Sequence, residues 1–201
     1  MYDVVIIGAG PGGIFSAYEL VKRAPDLKIA VFESGNPLDK RICPIDGKKI
    51  KSCIKCKTCA IMNGFGGAGA FSDGKYNITN QFGGTLHHYI GEACATELMK
   101  YVDEINLKMG GEGTRLYSTA NSEIKRLCMQ NGLHLLEANV RHLGTDINYV
   151  VLQNIYNELK DKIDFHFLAP VDSVEVVDGG YKINALGEHF EAAKCIISAG
   201  R

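Results

Sequence analysis

Two groups of residues in this chain have types and spacings suited to chemistry. The first is Gly8-Ala9-Gly10-Pro11-Gly12-Gly13, a G-x-G-x-x-G pattern on Gly8, Gly10 and Gly13, with Glu33 twenty residues past the last glycine. That pattern suits a diphosphate: Gly8 permits a tight turn out of a strand, Gly10 lets a pyrophosphate approach the backbone, and Gly13 lets a helix pack close to the strand. A helix N-terminus presents unpaired N–H groups and favours an anion by roughly 0.3–1 kcal/mol per charge. Glu33, with Ser34 beside it, can accept both hydroxyl hydrogens of an adenosine ribose and would repel a 2′-phosphate. The plainer reading is a glycine turn with no ligand and an acid that ends a strand.

The second group is Cys43, Cys53, Cys56 and Cys59. Thiolates at x2 spacing can converge on zinc or an iron–sulfur cluster. The ferredoxin run also ends on Cys-Pro, whereas here Cys43-Pro44 comes first, so the match is incomplete. Lys40, Arg41, Lys48, Lys49, Lys51, Lys55 and Lys57 surround these thiols with only Asp39 and Asp46 in opposition. Positive neighbours favour thiolate, which suits metal binding and thiol–disulfide exchange alike. A solvated basic loop with incidental thiols is the third reading, and the run lacks the interleaved aromatics of a nucleic-acid patch.

The elements that would position these residues are legible around them. Val4-Val5-Ile6-Ile7 is a β-branched run of the kind buried in parallel sheets. Ile14, Ala17, Tyr18 and Val21 recur at helical spacing, Pro25-Asp26 stops that helix, and Lys28–Glu33 reads as a second strand. Glu92–Met109 is expected as a helix with Leu98, Val102, Ile105 and Met109 on one face, ended by Gly110-Gly111. Ser118–Gln130 is expected as another, capped by Ser118 or Thr119, with Ile124, Leu127 and Cys128 inward. Thr145 or Asp146 would cap a helix running to Leu159, followed by a third parallel strand at Asp164–Phe167. The predicted fold class is α/β: a Rossmann-like parallel sheet with a small antiparallel meander on one face and a helical insertion at 91–132.

Tyr2–Gly13 resembles the opening of FAD-dependent oxidoreductases of the glutathione-reductase type, and Cys195-Ile196-Ile197-Ser198-Ala199-Gly200-Arg201 resembles that superfamily's second flavin signature. Val171–Val177, Tyr181–Leu186 and Glu188–Glu191 fit its meander. The cysteine-rich loop 39–60, the loop Gly64-Phe65-Gly66-Gly67-Ala68-Gly69-Ala70-Phe71-Ser72-Asp73-Gly74-Lys75, Tyr101-Val102-Asp103-Glu104 and His142-Leu143-Gly144-Thr145-Asp146 are similar to a bacterial family of FAD-dependent, NAD(FAD)-utilizing dehydrogenases. The resemblance implies FAD as cofactor, with NAD(P)H a candidate electron donor. It implies that the backbone of Val171 lies near the adenine and that Ala199 and Gly200 form the small-residue turn beside the cofactor. Gly66, Gly67, Ser72 and Asp73 would wrap the cofactor, and Lys75 would sit at the flavin pyrimidine edge. Family members are much longer, so residues 1–201 are expected to be one FAD-binding domain, a fragment lacking its C-terminal substrate domain.

Composition narrows the classes further. The net charge of −1 gives no overall field for nucleic acid or anionic lipid. The longest stretch free of charged residues, Tyr76–Gly91, holds Asn77, Asn80, Gln81, His87 and His88 and cannot span a bilayer. Seven cysteines and no basic, apolar N-terminal leader point to a cytoplasmic chain with reduced thiols. G-x-S-x-G, H-E-x-x-H and P-loop patterns are absent, which removes serine hydrolase, zinc protease and P-loop NTPase readings. The chain therefore reads as the FAD-binding portion of a flavin-dependent oxidoreductase acting on a small-molecule substrate or electron donor. An NAD-binding module and a cysteine-centred electron-transfer module are the two alternatives, and no residue stands out as general acid or base.

Overall fold

A computed structural model describes residues 1–120 and 122–200. Among the described residues nine strands and five helices follow one another: β1 (Tyr2–Ile7), α1 (Pro11–Arg23), β2 (Ile29–Phe32), β3 (Lys75–Ile78), α2 (His87–Ile90), α3 (Glu92–Asn106), β4 (Leu116–Ser118), α4 (Glu123–Gln130), β5 (Asn139–His142), α5 (Gly144–Leu159), β6 (Asp164–His166), β7 (Val171–Val177), β8 (Gly180–Ala185) and β9 (Glu188–Ile197). Two compact units result. One comprises Met1–Phe71 with the chain from Leu152 onward, and the other Ser72–Val151.

The first unit is built on a six-stranded sheet of order β6-β2-β1-β9-β8-β7. The four strands β6, β2, β1 and β9 run parallel, with Val5 opposite both Ala30 and Cys195. Val4, Val5 and Ile6 are buried, as are all four residues of β2, which explains their unbroken apolar run. Val5, Ala30, Phe32, Ile183, Ala185 and Ala192 form one core cluster across parallel and antiparallel strands. Each large apolar side chain fully buried there contributes about 1.5–3 kcal/mol.

The expected antiparallel meander is present, and its strands lie in the sheet itself. β7, β8 and β9 extend the same sheet, and β9 is one ten-residue strand that pairs antiparallel with β8 over Glu188–Ala192 and parallel with β1 over Ala192–Ile197. Ala192-Ala193-Lys194 contains no turn former, so nothing interrupts the chain between the two roles.

The second unit carries a three-stranded antiparallel sheet, β3-β5-β4, and α2 to α4, with the first half of α5. It is wider than the helical insertion 91–132 and includes a sheet that the short, polar strand sequences do not announce. Asp103 of α3 and Arg141 of β5 form a buried bidentate pair at 2.5 and 2.8 Å, and Arg141 also donates to the carbonyl of Thr114. α3 gives way to a wide helical turn at Leu107–Gly111, inside which Gly110, φ +124°, departs from helical geometry. α4 is shorter than expected, because Ser122 rather than Ser118 or Thr119 is its N-cap, accepting the Lys125 amide at 3.1 Å. Ile124 and Leu127, expected inward, are 63% and 46% exposed among the described residues. α5 starts at Gly144, so Thr145 and Asp146 occupy its first turn rather than its cap. No helix among the described residues is long and apolar enough to cross a membrane.

Candidate functional site

A cleft of about 610 Å³ opens in the first unit at the carboxyl ends of β1, β2 and β9. That volume lies in the usual range for ligand sites, and the position is where open α/β sheets bind theirs. Gly8, Gly10, Pro11 and Gly12 form one wall, Glu33 and Ser34 a second, Gly67 a third, and Val171, Ala199 and Gly200 a fourth. All ten are site candidates of the sequence. Gly64, Ala68 and Gly69 of the second glycine loop and Ser198 of the flavin-like signature line the cleft too, and Phe32, Met62, Asn63 and Pro170 are lining residues to which no sequence signal points.

The glycines of the first turn differ in what they permit. Gly8 has φ +98°, and a Cβ on it would strike the Ser198 carbonyl, so only glycine lets β1 and β9 converge there. A Cβ on Gly13 would land on the Gly8 carbonyl oxygen, which is the close helix–strand packing. A Cβ on Gly10 would meet nothing nearer than the Gly67 Cα at 4.0 Å; the space it would take is the cleft itself. α1 begins at Pro11 with no side-chain cap and no acid in its first turn. The N–H groups of Gly12 and Gly13 therefore have no intrahelical acceptor and mark the cradle for an anion.

Glu33 is 6% exposed at the end of β2. Its Oε2 accepts the Ala9 amide at 2.8 Å; its Oε1 accepts the amides of Gly35 at 2.8 Å and Gly64 at 2.9 Å and the Ser34 hydroxyl at 3.2 Å. A carboxylate offers about four lone-pair positions, and Oε1 is already filled. The grip on two ribose hydroxyls narrows to the one position left on Oε2. Glu33 has a second job: it ties the first glycine turn, its own turn and the second glycine loop together.

The second glycine loop is bound to the first. Gly66, itself buried and off the cleft surface, donates its amide to the Ala9 carbonyl at 2.8 Å. Phe65 is fully buried against Tyr156 and Phe165, with ring centroids 5.1 and 5.9 Å away. Arg41 is the residue sequence reasoning missed. It is 4% exposed, amid lysines that are all exposed. Nε donates to Ala60 O at 2.9 Å, Nη1 to Phe65 O at 2.6 Å and Gly67 O at 2.9 Å, and Nη2 to Ile61 O at 2.7 Å. Its guanidinium also lies 4.9 Å from the centroid of Phe71. Burial lowers its pKa from the ordinary arginine value, while Glu33 and then Cys59 oppose that shift.

Other candidates are not assembled. Ser72, Asp73 and Lys75 belong to the second unit and do not line the cleft. The Lys75 ammonium pairs with Asp73 at 2.7 Å, and this holds the Asp73 carboxyl below the usual carboxylate range. Both side chains are exposed. Cys53 and Cys56 are exposed and Cys43 and Cys59 half-buried, and all four are free thiols. Among the described residues no three His, Cys, Asp or Glu side chains stand where they could hold a metal, so the x2 spacing does not become a ligand set here. The final residue of the flavin-like signature, Arg201, lies outside the described residues.

The parallel sheet, the glycine turn, the acid after β2 and the meander continuous with β9 define a Rossmann-like α/β fold. Comparison with known proteins agrees at the level of fold. The Thi4 family model matches residues 1–37. Thiamine thiazole synthases of Yarrowia lipolytica and Phaeosphaeria nodorum are 64% and 61% identical over 33 residues, which is 16% of this chain and 10% of each relative. Glycine oxidase from Geobacillus kaustophilus superposes with a TM-score of 0.55 at 16% identity, over 99% of this chain and 55% of its own. The chain thus spans about half the length of that oxidase, and its match to the two synthases covers only a tenth of theirs.

Proposed function

We propose that the first unit binds FAD by its ADP half and that the chain is the cofactor-binding portion of a flavin-dependent oxidoreductase, of the kind its likeness to NAD(FAD)-utilizing dehydrogenases implies. One observation carries the reading: the bare N-terminus of α1, the open space at Gly10 and the Glu33 carboxylate all face one cleft. The amides of Gly12 and Gly13 would hold the diphosphate, the free position on Glu33 Oε2 would hold one ribose hydroxyl, and the Val171 backbone would border the adenine. Bound flavin would take a hydride or electrons from a donor and pass them on, while the protein supplies position and electrostatics. The substrate and a nicotinamide donor belong to the whole protein's activity. The synthase matches stop at the first βαβ unit, so they support a nucleotide site and say nothing of the substrate.

Titrating the 201-residue chain with FAD, and separately with NAD⁺, tests this. Saturable quenching of flavin fluorescence is expected, with Gly10→Val weakening it at least tenfold because two methyl groups would fill the diphosphate seat. NAD⁺ binding without FAD binding would favour the nicotinamide-module alternative. Unchanged FAD affinity in Gly10→Val would overturn the placement of the diphosphate.

A further inference from the structure

The cleft wall at Gly64–Gly69 contains four glycines in six residues and no strand or long helix of its own. A segment of that composition loses more backbone freedom on ordering than any other, so something must hold it. Several ties do so. Glu33 accepts the Gly64 amide, the Asn36 carbonyl accepts the Phe65 amide, the Ala9 carbonyl accepts the Gly66 amide, and the Arg41 guanidinium spans four carbonyls between Ala60 and Gly67.

Arg41 makes the largest share of these bonds, and it is not a lining residue. Four of its five N–H groups are spent on backbone oxygens, with no carboxylate of the described residues among its hydrogen-bond partners. A buried cation that satisfies itself on carbonyls keeps its charge unneutralised by direct pairing. That charge lies immediately behind Gly67, a lining residue whose backbone packs against Gly10, so that a Cβ on it would come within 3.1 Å of the Gly10 Cα. The buried carboxylate of Glu33 would by itself repel a diphosphate; a fixed cation behind the Gly67 wall offsets it.

We propose that Arg41 is a positioning residue of this cleft: it holds the 60–69 segment in place before any ligand arrives and sets a positive charge behind the wall on which an anionic diphosphate rests. This rests on the reading of the cleft as a dinucleotide site, and the two claims fail separately.

The test uses the full chain with Arg41→Met and Arg41→Lys, and two readouts. The first is amide hydrogen exchange without ligand. In Arg41→Met the Gly64 and Gly66 amides are expected to exchange at least about tenfold faster while those of β1 and β9 keep their protection, as for local rather than global opening. The second is affinity for ADP against adenosine, which lacks the diphosphate. Arg41→Met is expected to lose about tenfold or more for ADP and little for adenosine, since the charge acts on the anion. Arg41→Lys keeps the charge but cannot span four carbonyls; it should recover the ADP preference and not the loop protection. Unchanged loop exchange in Arg41→Met, or exchange that rises equally in β1 and β9, would overturn the proposal, as would equal loss for both ligands. If the unaltered chain binds neither ligand, the dinucleotide reading falls, and the exchange arm alone decides whether Arg41 holds the loop.

Discussion

Glu33 accepts three backbone amides at the cleft, and these donors come from three separate turns. Removing it leaves three amides without an acceptor in a poorly hydrated place. Each such group costs about 1–3 kcal/mol, so Glu33→Ala is expected to lose on the order of 3 kcal/mol or more of unfolding free energy in urea. The same change should weaken FAD more than FMN, which has no adenosine ribose. A variant with the original urea midpoint would show that these bonds are replaced by water. The neighbouring glycines divide the labour differently. Gly8 and Gly13 have no room for a Cβ because protein backbone occupies it, whereas Gly10 has room that is reserved for something else. Arg41 shows the same economy: a residue inside a basic run whose charge is turned inward rather than to solvent.

At the level of elements, β9 joins the two halves of the first unit's sheet. Its first half closes the meander and its second half lies beside β1, delivering Ser198, Ala199 and Gly200 to the cleft. Cys195 sits within this strand, opposite Val5, and burial raises its thiol pKa above the ordinary 9.0. A higher pKa means less thiolate at a given pH. Alkylation with iodoacetamide at pH 8 is therefore expected to modify the exposed Cys53 and Cys56 at least about tenfold faster than Cys195 in the folded chain, with mass spectrometry reading the order. Equal rates would mean that β9 opens readily. α4 is the contrasting case. Ser122 starts it properly, yet its apolar side chains are exposed, so its sequence periodicity does not correspond to burial within the described residues.

Across the whole molecule, three tyrosines hold their protons more tightly than an ordinary phenol. Burial is the main cause at Tyr2, Tyr76 and Tyr156; Asp164 adds to it at Tyr2, and Asp39 and Asp161 at Tyr156. A folded-state pKa above the unfolded value of about 10 means that the native chain binds more protons than the unfolded one in that window. The stabilisation is complete below pH 10 and is lost as pH rises through the folded values. Thermal midpoints should accordingly fall between pH 10 and pH 11.5 more steeply in this chain than in Tyr2→Phe/Tyr76→Phe/Tyr156→Phe. Parallel curves would remove the tyrosines from the account.

The βαβ unit was readable because its signals are local. A β-branched run, glycines at fixed offsets and an acid after the next strand each constrain their own few residues, and the same 37 residues are those matched by the Thi4 family model. The third parallel strand and the three meander segments were readable for the same reason. Local signals could not reveal that the meander is continuous with the parallel sheet, since that depends on which strand β1 accepts as its second neighbour. Nor could they reveal the β3-β5-β4 sheet, whose strands are three or four residues long and are held by partners far along the chain.

What the linear order of residues determined, then, is the shape of each short stretch and the presence of a diphosphate-type turn followed by a carboxylate. Tertiary structure alone decided that Arg41 is buried, that Glu33 is mostly occupied by the protein's own amides, and that the x2-spaced thiols do not converge. The physical reason is common to all three. Their partners are backbone groups or distant side chains, and every residue carries the same backbone, so nothing in residue type or spacing marks which carbonyl or amide a side chain will find.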